Sequence, residues 1–123
     1  ACKMNYVNKF EYHVPYKDIG SENEICGTMI GIVDSFDESS LIKDEISQIK
    51  WINPDELKNE LEQNNDAYCP WMAIALYFLA DTDANTLEKF NSLITKWASD
   101  DLKPVYENAI KHYIPDNNWR LVP

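Results

Sequence analysis

Ser47-Gln48-Ile49-Lys50-Trp51-Ile52-Asn53-Pro54-Asp55-Glu56-Leu57 is where this chain changes character. Up to Ile52 the residues suit a short strand; from Asn53 onward they spell a helix start. Asn53 is a good N-cap, Pro54 suits the first helical position, and Glu56 completes a capping-box-like pattern. Upstream the chain has strand character. Met4 to Val14 alternates through Tyr6, Val7, Phe10, Tyr12 and Val14, and Glu24 to Phe36 carries Ile25, Met29, Ile30, Ile32 and Val33. Pro15 to Ser21 reads as a loop between them, and Asp37 to Asp44 as a polar turn. Gly27 and Gly31 suggest a bulge or a close backbone approach. Downstream the pattern is helical. The first helix runs from Pro54 to Asn64. A second, Trp71 to Leu79, is apolar on every side and expected to be buried. A third presents Leu87, Phe90, Leu93, Ile94 and Trp97, and a fourth, from Pro104, presents Val105, Ala109, Ile110 and Tyr113. Strands first and helices after predict an α+β fold.

The chain has 123 residues, of which 45% are hydrophobic and 12% aromatic, enough for a sizeable core. Its net charge of −10 and lack of a Lys/Arg cluster argue against unaided binding to nucleic acid or an anionic membrane. No apolar stretch approaches the ~20 residues of a membrane-spanning helix. Cys2, Cys26 and Cys69 lie too far apart for a metal or redox motif. Reduced thiols, with no signal-peptide-like segment, suit a cytoplasmic protein. The start at Ala1, almost at once in a strand, suggests a fragment or a processed product. Three strands alone leave sheet edges and one face unpaired, which points the same way.

The densest chemistry lies in Ser21-Glu22-Asn23-Glu24-Ile25-Cys26. Glu22 and Glu24 are two residues apart, so in extended chain both carboxylates project from one face. Such a pair repels unless a cation or a proton lies between them. A hydrated divalent ion satisfies the first case and a general acid/base with a raised pKa the second. The plainer alternative is two solvated surface glutamates. In Cys69-Pro70-Trp71-Met72 the indole is held at a helix start, where its π face can stabilise a cation, or it is an ordinary core tryptophan. The Tyr12 hydroxyl can orient a carboxylate, or the residue is simply a strand aromatic. His13 and His112 lack metal-ligand spacing.

Phe10-Glu11-Tyr12, Glu22-Asn23-Glu24-Ile25-Cys26, Trp51-Ile52-Asn53-Pro54-Asp55-Glu56-Leu57 and Cys69-Pro70-Trp71-Met72 follow one another at separations that resemble the C-terminal half of type I isopentenyl-diphosphate isomerase, of the Nudix superfamily. The resemblance covers about residues 4 to 80. It implies a partial Nudix-like sheet with helices packed on it over residues 1–80, followed by a helical C-terminal extension over 81–123. It implies conversion of isopentenyl to dimethylallyl diphosphate by proton addition and abstraction through a tertiary carbocation-like state. Glu22 and Glu24 would ligate a divalent metal (Mg²⁺ or Mn²⁺), and Glu24 would also transfer protons. Trp71 would face the developing cation, and Tyr12 would hydrogen-bond the acid/base carboxylate. The substrate would be a small isoprenoid diphosphate.

The departures are equally specific. The family's catalytic cysteine, its three metal-binding histidines and the Nudix helix would all precede the matched segment. This chain has only two histidines, its cysteines lie at other positions, and basic residues are too few to hold a diphosphate. Roughly half an active site is present, so the chain alone is expected not to catalyse. It would need a missing N-terminal half, or it would self-associate. A non-catalytic Nudix-like interaction module, binding a partner through apolar helix faces between Leu87 and Tyr113, is the alternative. A Nudix hydrolase acting on another diphosphate ranks last, because Trp71 suits a carbocation better than hydrolysis.

Overall fold

The structure is a computed structural model and describes residues 4–16, 20–31, 33, 44, 50–64, 68–79 and 96–123. Its elements are β1 (Met4–Tyr16), β2 (Gly20–Gly31), α1 (Pro54–Gln63), α2 (Pro70–Leu79), α3 (Lys103–Tyr113) and β3 (Trp119–Val122). The class is α+β, as the order of patterns predicts. The sheet is antiparallel throughout, in the order β2-β1-β3.

Alternation along β1 sets the layers. Phe10, Tyr12 and Val14 are buried, and they form one core with Leu57 and Leu61 of α1, Ala73, Ile74 and Phe78 of α2, and Val105, Tyr106, Ala109 and Ile110 of α3. In register beside them on β2 stand Cys26, Glu24 and Glu22. Directly opposed residues of an antiparallel pair share a face, so those positions lie on the helix-covered side. An irregularity in register between Tyr6 and Asn8 marks a bulge at Val7. Gly20 opens β2 at φ +122, a conformation that costs glycine little and other residues much.

The helices begin as the sequence predicts. Asn53 accepts a hydrogen bond from the Glu56 amide at 2.8 Å, and its Nδ2 donates to Glu56 Oε1 at 2.7 Å. Asn53 thus caps the helix, and Glu56 holds the capping side chain in place. α2 is apolar almost all round and buries Pro70, Ala73, Ile74, Phe78 and Leu79, packing against β1 and most extensively against α3. The Tyr106 hydroxyl, in the core at 1% exposure, donates to the Trp97 carbonyl at 3.0 Å. No helix among the described residues is long and apolar enough to cross a membrane.

Three expectations change. Lys50 to Ile52 are irregular chain, not the end of a third strand, and residues 45–49 lie outside the described set. Asn53 itself is extended (φ −97, ψ 167), as an N-cap residue is. β-propensity measures how side chains fit a pleated, half-buried surface, which a short stretch cannot supply by itself. Second, β2 starts at Gly20 and β1 continues to Tyr16, so most of the expected Pro15–Ser21 loop belongs to strands. Pro15 is tolerated near the strand end, opposite Ser21. Third, the strand completing the sheet comes from the chain's other end, Trp119–Val122, where none was expected. Residues 87–95 of the expected third helix also lie outside the described set; Lys96 and Trp97 are helical.

Candidate active site

The sheet brings two of the proposed residues, Tyr12 and Glu24, into one row. Tyr12 occupies the central strand, with Glu24 opposite it on β2 and Trp119 opposite it on β3. The Tyr12 hydroxyl donates to Glu24 Oε2 at 3.1 Å. Its ring, 3% exposed, stacks on Trp71 with centroids 6.1 Å apart and planes 27° apart. Tyr12 thus joins a carboxylate at an edge strand to an indole at a helix start, residues 47 positions apart (71 − 24).

Each partner is held by its element. Trp71 is the second residue of α2, whose position follows from the packing of Ile74 and Phe78 into the core. At 41% exposure it presents much of its indole to solvent. The entry to α2 has its own tether. Glu60 of α1 accepts from Lys50 Nζ at 3.2 Å and from the Tyr68 hydroxyl at 3.1 Å. Bonds from Lys50 and then from Tyr68 hold the Glu60 carboxyl below its ordinary range. Lys50 is correspondingly raised by the bond to Glu60. Tyr68 is raised, first by burial and then by that same carboxylate. Burial pushes the Cys69 thiol up, so it is protonated near neutral pH, consistent with a structural rather than nucleophilic role.

The Glu22 backbone pairs with Val14, two positions from the Glu24 row on the same sheet face; its side chain lies outside the described set. Among the described residues no group of three His, Cys, Asp or Glu side chains could hold a metal ion. Glu24 is the one carboxylate of the expected pair whose side chain is described, and the described residues do not fit a site needing three or more protein ligands. His13 lies on the opposite face of β1, its Nδ1 engaged with Asn23 Oδ1. His112 packs edge-on against Tyr113, with centroids 4.8 Å apart.

Two features were not anticipated. Trp119 flanks Tyr12 and meets Tyr77 edge-on at 4.9 Å. A short, largely apolar Trp-Arg-Leu-Val run after Asn117-Asn118 was the available signal, and Asn117 does turn the chain at φ 59. An open concavity of ≈ 790 Å³ reaches Tyr12 and Glu24 from the other side of the sheet, since Glu11, His13, Asn23, Ile25 and Arg120 of its lining belong to the face away from the helices. Arg120 is paired through its Nε with Glu11. This ion pair lies on the face opposite to the Tyr12–Glu24 hydrogen bond, so Arg120 is not part of that arrangement.

The arrangement is a carboxylate bonded by a phenol whose ring stacks on an accessible indole. Over 80 residues the chain is 30% identical to the isopentenyl-diphosphate Delta-isomerase of Ruegeria pomeroyi, a match covering 63% of this chain and 43% of that protein. The two are distantly related, and the chain spans less than half the length of its relative. No family model and no solved structure matches the chain.

Proposed function

We propose that this chain supplies the proton-transfer and cation-stabilising part of an isopentenyl-diphosphate isomerase of the Nudix type, corresponding to its C-terminal half. One arrangement carries the reading: the Glu24–Tyr12 hydrogen bond lies beside the Tyr12–Trp71 stack. Moving a double bond in isopentenyl diphosphate requires a proton to be added at the terminal carbon and another to be lost from the neighbouring methylene. A tertiary cation lies between the two steps, and the alkene offers no polar handle. An indole face stabilises such a cation where a charged residue would capture or quench it. Glu24 moves the proton, Tyr12 fixes the carboxylate, and Trp71 faces the cation. Glu22 and Glu24 would hold Mg²⁺ or Mn²⁺, which offsets the repulsion between the carboxylates. The remaining acid/base group and the diphosphate-binding cations would come from polypeptide outside this chain, because the residues here do not provide them.

The test is deuterium incorporation from D₂O into isopentenyl diphosphate. It is run on this chain alone, on the native polypeptide that carries it, and on that polypeptide with Glu24→Gln. Exchange by the native protein, loss in the variant and none from the isolated chain is the expected pattern. Turnover by the isolated chain would remove the half-site reading, and no exchange by any form would remove the isomerase reading.

A non-catalytic interaction module has one observation in its favour. Tyr6, Ile25 and Met29 are more than half exposed, at 59%, 65% and 54%, on the sheet face away from the helices. The helix faces first suggested for that role are less suitable, since Val105, Ala109 and Ile110 are buried in the core. Association that is lost in Ile25→Asp and independent of Glu24, together with an inactive native protein, would favour this module.

A further inference from the structure

The helix-facing side of the sheet carries polar side chains that nothing among the described residues satisfies. Asn8 Nδ2, Asn8 Oδ1 and Thr28 Oγ1 are sealed from solvent and make no hydrogen bond. The two residues stand opposite each other on β1 and β2, directly after the bulge at Val7. They form the row next to Phe10–Cys26, on the face that also holds Tyr12 and Glu24. Buried polar atoms are nearly always bonded to protein or to ordered water, so three orphans in one cross-strand pair require a partner.

We propose that Asn8 and Thr28 enclose a water molecule that bridges β1 and β2. The mixture of groups selects the ligand. Asn8 offers a donor and an acceptor, and Thr28 a hydroxyl that is both. A cation would leave the Nδ2 donor unmet, and an anion would leave Oδ1 unmet. Water donates and accepts, and a buried water typically makes about three such bonds. Side chains directly opposed in an antiparallel pair have Cβ atoms about 4.5–5.5 Å apart, a spacing one bridging water spans. The clip also bears on the candidate active site without depending on its chemistry. A one-residue slip of β2 would turn Glu24 to the other sheet face, away from Tyr12. The same slip would separate Asn8 from Thr28, so the bridged pair favours the register in which Glu24 meets Tyr12.

High-resolution crystallography of the full chain tests this, together with water-¹⁷O magnetic relaxation dispersion on the wild type, Thr28→Val and Asn8→Leu/Thr28→Val. The expected result is one ordered water within hydrogen-bond distance of both residues, and one fewer long-lived water in the double variant. Thr28→Val keeps the side-chain shape and guards against a misfolded double variant; it should speed exchange of that water. Direct bonding of Asn8 to Thr28 with no water between them would overturn the proposal, as would relaxation unchanged by either variant.

Discussion

β1 and β2 lie side by side yet treat the same sheet face in opposite ways. On β1 the residues facing the helices are Phe10, Tyr12 and Val14, at 2%, 3% and 4% exposure. On β2 their direct neighbours are Cys26, Glu24 and Glu22; Cys26 is half-buried and Glu24 exposed. The central strand can be apolar because α2 covers it. At the sheet edge a carboxylate keeps its hydration, whereas the same carboxylate under the helices would carry a large desolvation cost. The candidate site sits on that boundary. A rigid, buried tyrosine reaches outward through its hydroxyl to an ionisable group that remains in water.

If the boundary is real, substitutions on the two strands should separate stability from activity. Phe10→Ala should destabilise the chain by about 3–5 kcal/mol, through lost burial and a cavity. Ile25→Ala, on the exposed face of β2, should stay within about 0.5 kcal/mol of wild type. Urea unfolding of both decides this, and equal losses would erase the contrast. Glu24→Gln should leave the unfolding midpoint in place while lowering isomerase exchange in the native protein by about 10²–10⁴-fold. Trp71→Leu probes the helix side of the site. The exposed indole should cost little stability on removal, but exchange should slow by the equivalent of about 0.5–2 kcal/mol of cation–π stabilisation. An unchanged rate would leave Trp71 as a packing residue.

Away from the strands the effects should be smaller. Asn53→Ala removes the N-cap of α1 and should cost about 1 kcal/mol in thermal or urea unfolding. The Lys50–Glu60–Tyr68 tether should respond to pH in one direction on its acid side. Because the folded carboxyl of Glu60 lies below its ordinary value of 4.5, its contribution is present above that value. It is lost as the pH falls through the lowered one. Glu60→Gln should therefore differ from wild type more at neutral pH than at the acid end of the titration. A constant difference across the range would show that the tether acts by shape and not by charge.

Helix starts were legible because their signals are local. Asn53, Pro54 and Glu56 are close neighbours, and the bond from the Glu56 amide to Asn53 is the expected N-cap bond, while Glu56 bonds back to the Asn53 side chain and not to its backbone amide. Val105, Ala109 and Ile110 recur at helical spacing and are buried together. β3 was missed because four residues at the chain's end carry little periodic signal. Trp119–Val122 is a strand only because Lys9–Tyr12 offers it a ladder. Lys50–Ile52 was misread for the converse reason, since its β-prone residues have no ladder among the described residues.

Alternation on β1, the spacing of Glu22 and Glu24, and the helix starts after Asn53 and Cys69 were determined by the sequence alone. Each depends on backbone geometry repeating over a few residues. That Tyr12 bonds Glu24 and stacks on Trp71, and that Trp119 completes the row, only the tertiary structure decided. These contacts depend on strand register and on how α2 settles against β1. Both are set by burial summed over the whole core, a quantity no short stretch of sequence contains.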